Sequence, residues 1–238
     1  MRLGRETAAH VLTQLVVSGS GFVSTFAIAF LLGARGLGVY AIGVAIGYFW
    51  IQIPADAFAS ATAKRISEGE SPGAILTAGL VVVGLAGLGS AALILGLGSM
   101  IGTTGQLADT EFGRVLTEHG ADLAMMALSA SLYKGVAGGL QGQQMVALEG
   151  LLDASERTVR AVLQVGAMVS GLGVGALFLA HAFSLLLVAV AGLVLSNLRL
   201  RRPRGSHLRR LYSYASFSWL RTVESSAFGW VGTLVLSF

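Results

Sequence analysis

Cysteine is absent from the 238 residues. That excludes a disulfide framework, a thiolate nucleophile and any cysteine-ligated zinc or iron–sulfur centre. Charge is scarce too: Asp, Glu, Lys and Arg make up 12% of the chain, against ~25% in a typical soluble domain. A water-soluble body of this length could not cover its surface with so few ionised groups. The four histidines, at 10, 119, 181 and 207, have no metal-like spacing. No Ser–His–Asp set, no acid-rich metal motif and no phosphate-cradling glycine loop before Lys-Ser/Thr is present, so enzyme readings are weak and neither cofactor nor metal is expected. The net charge of +4 is small and its basic residues lie in short islands, which argues against a nucleic-acid partner.

Apolar residues are abundant: 54% of the chain, with 33 glycines besides, and mean hydropathy is +0.75. A helix needs about 20 apolar residues to cross the ~30 Å hydrocarbon core. Charge-poor runs of that order cover Val11–Ala34, Val39–Ala61, Ala74–Ile101 and Ala121–Leu140. The stretch from Ala161 to Leu198 contains no Asp, Glu, Lys or Arg. At 1.5 Å per residue it would make a helix of about 57 Å, too long for one crossing. Its glycine-rich centre, Gly171-Leu-Gly-Val-Gly175, is the natural turn between a fifth and a sixth span. A last apolar stretch begins near Leu211. The expected fold is therefore an all-α integral membrane bundle of about seven transmembrane helices.

Cytoplasmic loops collect Lys and Arg. With the N-terminus inside, twelve basic residues fall on inner segments, Arg157 and Arg160 among them, and only Arg35 and Arg114 fall outside. This predicts a multi-pass protein with a cytoplasmic N-terminus. Small residues within the spans, including Gly79, Gly135 and Gly138, mark helices that pack closely rather than isolated anchors.

An ionised group at the bilayer centre costs at least ~2.5–3.5 kcal/mol, so each is a site candidate. Arg221 and Glu224 lie three residues apart on the last span, and Lys134 lies in the fourth. Tyr48, Gln52, Asp56 and Ser60 recur every fourth residue beside Pro54, and Gln14, Ser18, Gly21 and Thr25 form a second polar stripe. The two stripes are expected to line one hydrophilic cavity, with interhelical hydrogen bonding as the alternative. His181 is expected to be packed within the sixth span rather than to act as a ligand.

Leu32-Gly-Ala-Arg-Gly36-Leu-Gly38-Val-Tyr40, between the first two spans, resembles the LGxxGLGxY loop of polysaccharide-type flippases. These belong to the multidrug/oligosaccharidyl-lipid/polysaccharide exporter superfamily. Ala63-Lys-Arg-Ile-Ser-Glu68 is similar to its basic pair before Ser-Glu, and Gly139-Leu-Gln-Gly142 to the end of its fourth span. Trp230-Val-Gly-Thr-Leu-Val-Leu236 departs from the pattern, with Gly232 where Asp is frequent. The resemblance implies a flippase moving lipid-linked oligosaccharide, carried on polyisoprenoid phosphate or pyrophosphate, across the cell membrane for polysaccharide or glycan assembly. It implies membrane lipid around the protein, with glycosyltransferases or a polymerase as further partners. Such proteins have 12–14 spans in two lobes, so this chain resembles a fragment. Residues 1–198 would be the first lobe, 199–210 a basic cytoplasmic linker and 211–238 the first helix of a second lobe. Lys134, Arg221, Gln14 and Gln52 are the expected substrate-cavity residues, and Asp56 and Glu224 the expected ion-coupling groups. Two alternatives remain: a cation-coupled exporter of organic cations of the MATE type, or a non-transporting membrane partner of a glycan-assembly complex.

Overall fold

The computed structural model describes residues 2–69 and 71–235, with the side chains of 2–16, 49–53 and 220–234 outside the description. The described chain is all-helical. Helix α1 (Arg2–Ser67) is followed by α2 (Pro72–Thr104), α3 (Glu111–Gly142), α4 (Val146–Val169), α5 (Val174–Leu195) and α6 (Gly205–Val235). Because α1 is broken into two arms, seven helical segments form the all-α membrane bundle that composition and span spacing predict.

The break in α1 is a single residue. Gly33 has φ 72° and ψ 178°, a region open essentially to glycine alone. The segment 32–40, expected as a connecting loop, is otherwise helical, because one glycine suffices to redirect the chain. Elsewhere the ends follow ordinary rules. Pro72 begins α2, where its missing N–H costs nothing, and Gly105 ends it at φ 71°. Thr110 caps α3 by accepting from the Gly113 N–H at 3.0 Å. The expected turn near Gly171 is present, with Gly171 at φ 73°.

Helix α3 is the centre of the bundle and packs against α1, α2 and α5. Its Gly138 lies on the second arm of α1 so closely that a Cβ there would sit 2.5 Å from the Ala59 carbonyl oxygen. Only a residue without a side chain permits that backbone approach. The outward faces are apolar: Phe22, Phe26 and Phe30 are 71%, 62% and 77% exposed along the first arm of α1. Leu85, Leu88 and Leu95 are exposed on α2. Val17–Tyr48, α2, α3 and α5 are each long and apolar enough to cross a membrane. This is a multi-pass membrane protein, with its apolar groups facing outward as well as inward.

One boundary is corrected. The charge-free run predicts a fifth span from Ala161, with Arg157 and Arg160 on an inner segment. Instead α4 starts at Val146 and carries Glu149, Asp153, Glu156, Arg157 and Arg160 along its length. The charges are accommodated because they pair within the helix and across to α5, as described below. Removing these two arginines from the inner tally leaves ten against two, so the asymmetry of charge survives. Residues 205–210, within the stretch read as a linker, form the first turns of α6.

Candidate functional site

Two adjoining cavities lie among α1, α3, α4 and α5. The first, about 420 Å³, is lined by Ser20, Gly21, Ser24, Thr25 and Tyr40 of α1, by Arg157, Arg160 and Gln164 of α4, and by His181 of α5. The second, about 350 Å³, is lined by Tyr48 of α1, Tyr133 and Lys134 of α3, Asp153 and Glu156 of α4, and Leu185 of α5. Arg157, Arg160, His181 and Val44 border both. The spaces are therefore two rooms with a shared wall.

Arg160 and His181 form the middle of that wall. The Arg160 Nη1 donates to His181 Nε2 at 2.6 Å. Arginine can only donate, so Nε2 must be the lone-pair nitrogen, the ring is neutral and Nδ1 carries the hydrogen. That Nδ1–H faces the Tyr40 hydroxyl at 3.3 Å, while the Tyr48 hydroxyl lies 3.1 Å from Nε2. On its other side Arg160 Nε is 3.7 Å from the Glu156 carboxylate. Ser184 donates to the same carboxylate at 2.8 Å. Glu156 is 4% exposed and His181 1%, so these polar groups satisfy one another in place of water.

Gln164, with no exposed surface, ties this group to α1. Its amide nitrogen donates to the Tyr40 hydroxyl at 2.7 Å and to the Leu177 carbonyl at 3.3 Å, and its oxygen accepts from Ser24. Arg157 pairs with Asp153 one turn earlier on α4 at 3.2 Å. In the second cavity Lys134 Nζ meets Asp56 Oδ1 at 2.8 Å. This lysine reaches a carboxylate on a neighbouring helix instead of extending along its own to the headgroups.

Of the residues singled out in the sequence, Lys134 and Asp56 are thus brought together. Gly21 and Thr25 of one stripe line the first cavity, and Tyr48 of the other lines the second. Ser18 and Ser60 are exposed. Gln14, Gln52, Arg221 and Glu224 lie outside the described side chains. His181 is packed within its helix, as expected, and is also the most connected polar residue of the site. Sequence reasoning passed over Glu156, Arg160, Gln164 and Ser184. The signal was there: Glu149, Asp153, Glu156, Arg160 and Gln164 recur at helical spacing.

The arrangement can hold a polar or ionic group away from lipid. Among the described residues, the first cavity presents two guanidinium groups and no carboxylate, which suits an anion bound by charge-assisted hydrogen bonds. The second mixes Lys134 and the same arginines with Asp153 and Glu156.

No family model matches the chain. It is 25% identical over 240 residues to the probable flippase AglR of Haloferax volcanii, an alignment covering all of this chain and 48% of that protein. It therefore spans about half the length of the curated relative it matches. Its fold resembles a MOP superfamily transporter from Pyrococcus furiosus, with a TM-score of 0.70, 13% identity, and coverage of 91% of this chain and 51% of the other. It also resembles the eukaryotic MATE transporter AtDTX14, with a TM-score of 0.61, 13% identity, and coverage of 97% and 51%. The chain is thus similar in sequence to a probable flippase and in fold to MOP and MATE transporters, and in each case it matches about half of the other protein.

Proposed function

We propose that the chain is the N-terminal half of a flippase that carries lipid-linked oligosaccharide across the cell membrane for glycan assembly, with its N-terminus in the cytoplasm. The supporting observation is the first cavity, where Arg157 and Arg160 face a space of about 420 Å³ whose described lining holds no carboxylate. A polyisoprenoid phosphate or pyrophosphate head needs a cationic, hydrogen-bonding site that lipid cannot supply. The serine, threonine, tyrosine and glutamine groups of the same lining suit sugar hydroxyls. Residues 1–198 form the first lobe in this reading and 211–238 begin the second, with the basic residues around 199–210 on the cytoplasmic side. In this reading Arg221 adds charge for the phosphate, and Gln14 and Gln52 offer amide groups to the substrate. Asp56 and Glu224 are the ion-coupling groups, Asp56 through its contact with Lys134.

The second cavity favours a different reading. Asp153 and Glu156 in its lining suit an organic cation, as in a MATE-type exporter. The full-length protein separates the two in a binding experiment. Retention of polyisoprenoid phosphate, lost when Arg157 and Arg160 are changed to Gln, supports the flippase. Retention of a cationic dye, lost in Glu156→Gln, supports the exporter. Binding of neither, with glycosyltransferases co-purifying, supports a non-transporting assembly partner.

A further inference from the structure

A separate cavity, about 320 Å³, lies at the end of the bundle where α1 stops, α2 starts and α5 stops. Ser71 and Gly73 border it from the start of α2, and Asn197, Leu198, Arg199 and Arg201 from the segment that joins α5 to α6. That segment is not helical, yet its backbone is anchored. The Arg201 N–H donates to the Thr77 hydroxyl at 3.2 Å and to the Gly73 carbonyl at 3.4 Å, and Thr77 donates in turn to that carbonyl at 2.9 Å. Gly73 lies so near this strap that a Cβ on it would collide with the Arg199 carbonyl. Leu198 packs against the cluster that holds Ile66, Ile75 and Leu211. The two arginines are therefore mounted on a docked strap, not on a loose tail.

Among the described residues, the ion pairs at this end join Lys64 and Arg65 to Glu68 and use neither Arg199 nor Arg201. The described lining holds no carboxylate. Ser71 precedes α2 without capping it through its side chain, which leaves its hydroxyl for a ligand, and the Asn197 amide offers both donor and acceptor. Paired guanidinium forks suit the oxygens of a phosphate. The surroundings are apolar: Leu200, between the two arginines, is exposed, as are Val194 and Leu195 at the end of α5. A soluble anion has no use for those neighbours, whereas a phospholipid uses both halves. We propose that this cavity binds an anionic phospholipid of the surrounding membrane. Arg199 and Arg201 clasp its phosphodiester, Ser71 and Asn197 hydrogen-bond the headgroup, and an acyl chain lies along Leu200, Val194 and Leu195. The level is that of the headgroups, because the apolar helices α2 and α5 begin and end here. Bound lipid ties the strap to the start of α2 and so helps to place α6, which begins at Gly205 just after the strap. The site shares no lining residue with the two cavities at Arg157 and Arg160, and it stands whatever those cavities carry.

The test places the full-length protein in phosphatidylcholine nanodiscs with a trace of photoactivatable phosphatidylglycerol, or of photoactivatable phosphatidylcholine with the same chains. Cross-links are mapped to residues by peptide mass spectrometry. Residues 194–201 and the start of α2 should be labelled at least about tenfold more by the anionic lipid, as two arginines at a membrane surface imply. Millimolar inorganic phosphate should leave that labelling unchanged. Arg199→Gln with Arg201→Gln should lower it at least about fivefold. Arg202→Gln with Arg204→Gln removes the same charge from exposed positions outside the lining and should lower it less than about twofold. Equal labelling by the two lipids, or an equal loss in both pairs of substitutions, overturns the site. Displacement by inorganic phosphate assigns the cavity to a soluble anion and overturns the lipid equally. Should Arg199→Gln with Arg201→Gln not fold, the comparison of lipids and the phosphate competition on the unsubstituted protein decide the matter.

Discussion

Lys134 of α3 and Asp56 of α1 meet at 2.8 Å, one turn from the point where Gly138 lies against the Ala59 backbone. The charges face each other because the two helices touch there, and the register of α1 on α3 is fixed by the same contact. Both side chains are partly accessible, at 32% and 25%, so the pair borders the polar cavity and is not sealed in hydrocarbon. Removing one partner leaves the other charge uncompensated within the bundle. Lys134→Met is expected to cost about 1–3 kcal/mol, below the 3–5 of a fully buried pair because of that access. Lys134→Met with Asp56→Leu should recover about half or more of the loss. Denaturant unfolding in detergent measures the cycle, and strictly additive losses would mean the ion pair contributes nothing.

Gly138 supplies a test of close packing. Gly138→Ala forces a Cβ into the Ala59 carbonyl and should destabilise by about 1–3 kcal/mol, as overpacking does. Gly89→Ala, in α2, meets nothing within 4 Å and should be neutral to slightly stabilising through helix propensity. Thermal unfolding of the two variants side by side checks the contrast, which disappears if the α1–α3 contact is looser than described.

Gly33→Ala tests the bend in α1. At φ 72° and ψ 178° an alanine is strained by about 1–3 kcal/mol, whereas Gly19→Ala has open space around it. The first variant should lower the unfolding midpoint and the second should not. Equal behaviour would show that the two arms run on without a break.

Much of this fold is legible in the sequence, because lipid imposes length and apolarity on each crossing. The runs around 74–101 and 121–140 lie within α2 and α3, and the turn at Gly171 needs only its glycines. Lys134 and Asp56 each stand out as charges in apolar surroundings, but their pairing depends on helix register, which no local pattern encodes. Helix α4 escapes the charge-poor criterion for a related reason. A search for charge-poor runs rejects residues 146–160, yet Asp153–Arg157 and Glu156–Arg160 pair one turn apart, and Ser184 and His181 complete the set from α5. Charges satisfied in this way can enter a membrane bundle. Like the stripes on the first two spans, the polar positions of α4 recur at helical spacing.

Gln164 is the structural tie between the site and α1. Gln164→Met keeps the volume but leaves the Ser24 hydroxyl and the Leu177 carbonyl without their partner, a loss of about 1–3 kcal/mol. It also releases Tyr40 from the contact that holds it against His181. We expect lower stability together with weaker binding of polyisoprenoid phosphate to the full-length protein. Lower stability with binding unchanged would assign Gln164 to packing alone.

The most direct measurement is movement of fluorescent lipid-linked oligosaccharide between leaflets of vesicles containing the full-length protein, with and without Arg157→Gln and Arg160→Gln. Each charge-assisted hydrogen bond to a phosphate contributes about 1.5–3 kcal/mol, so either substitution should slow flipping roughly tenfold or more at equal protein levels. Flipping at the unsubstituted rate in both variants, or transport of a cationic dye with none of the oligosaccharide lipid, would contradict the account.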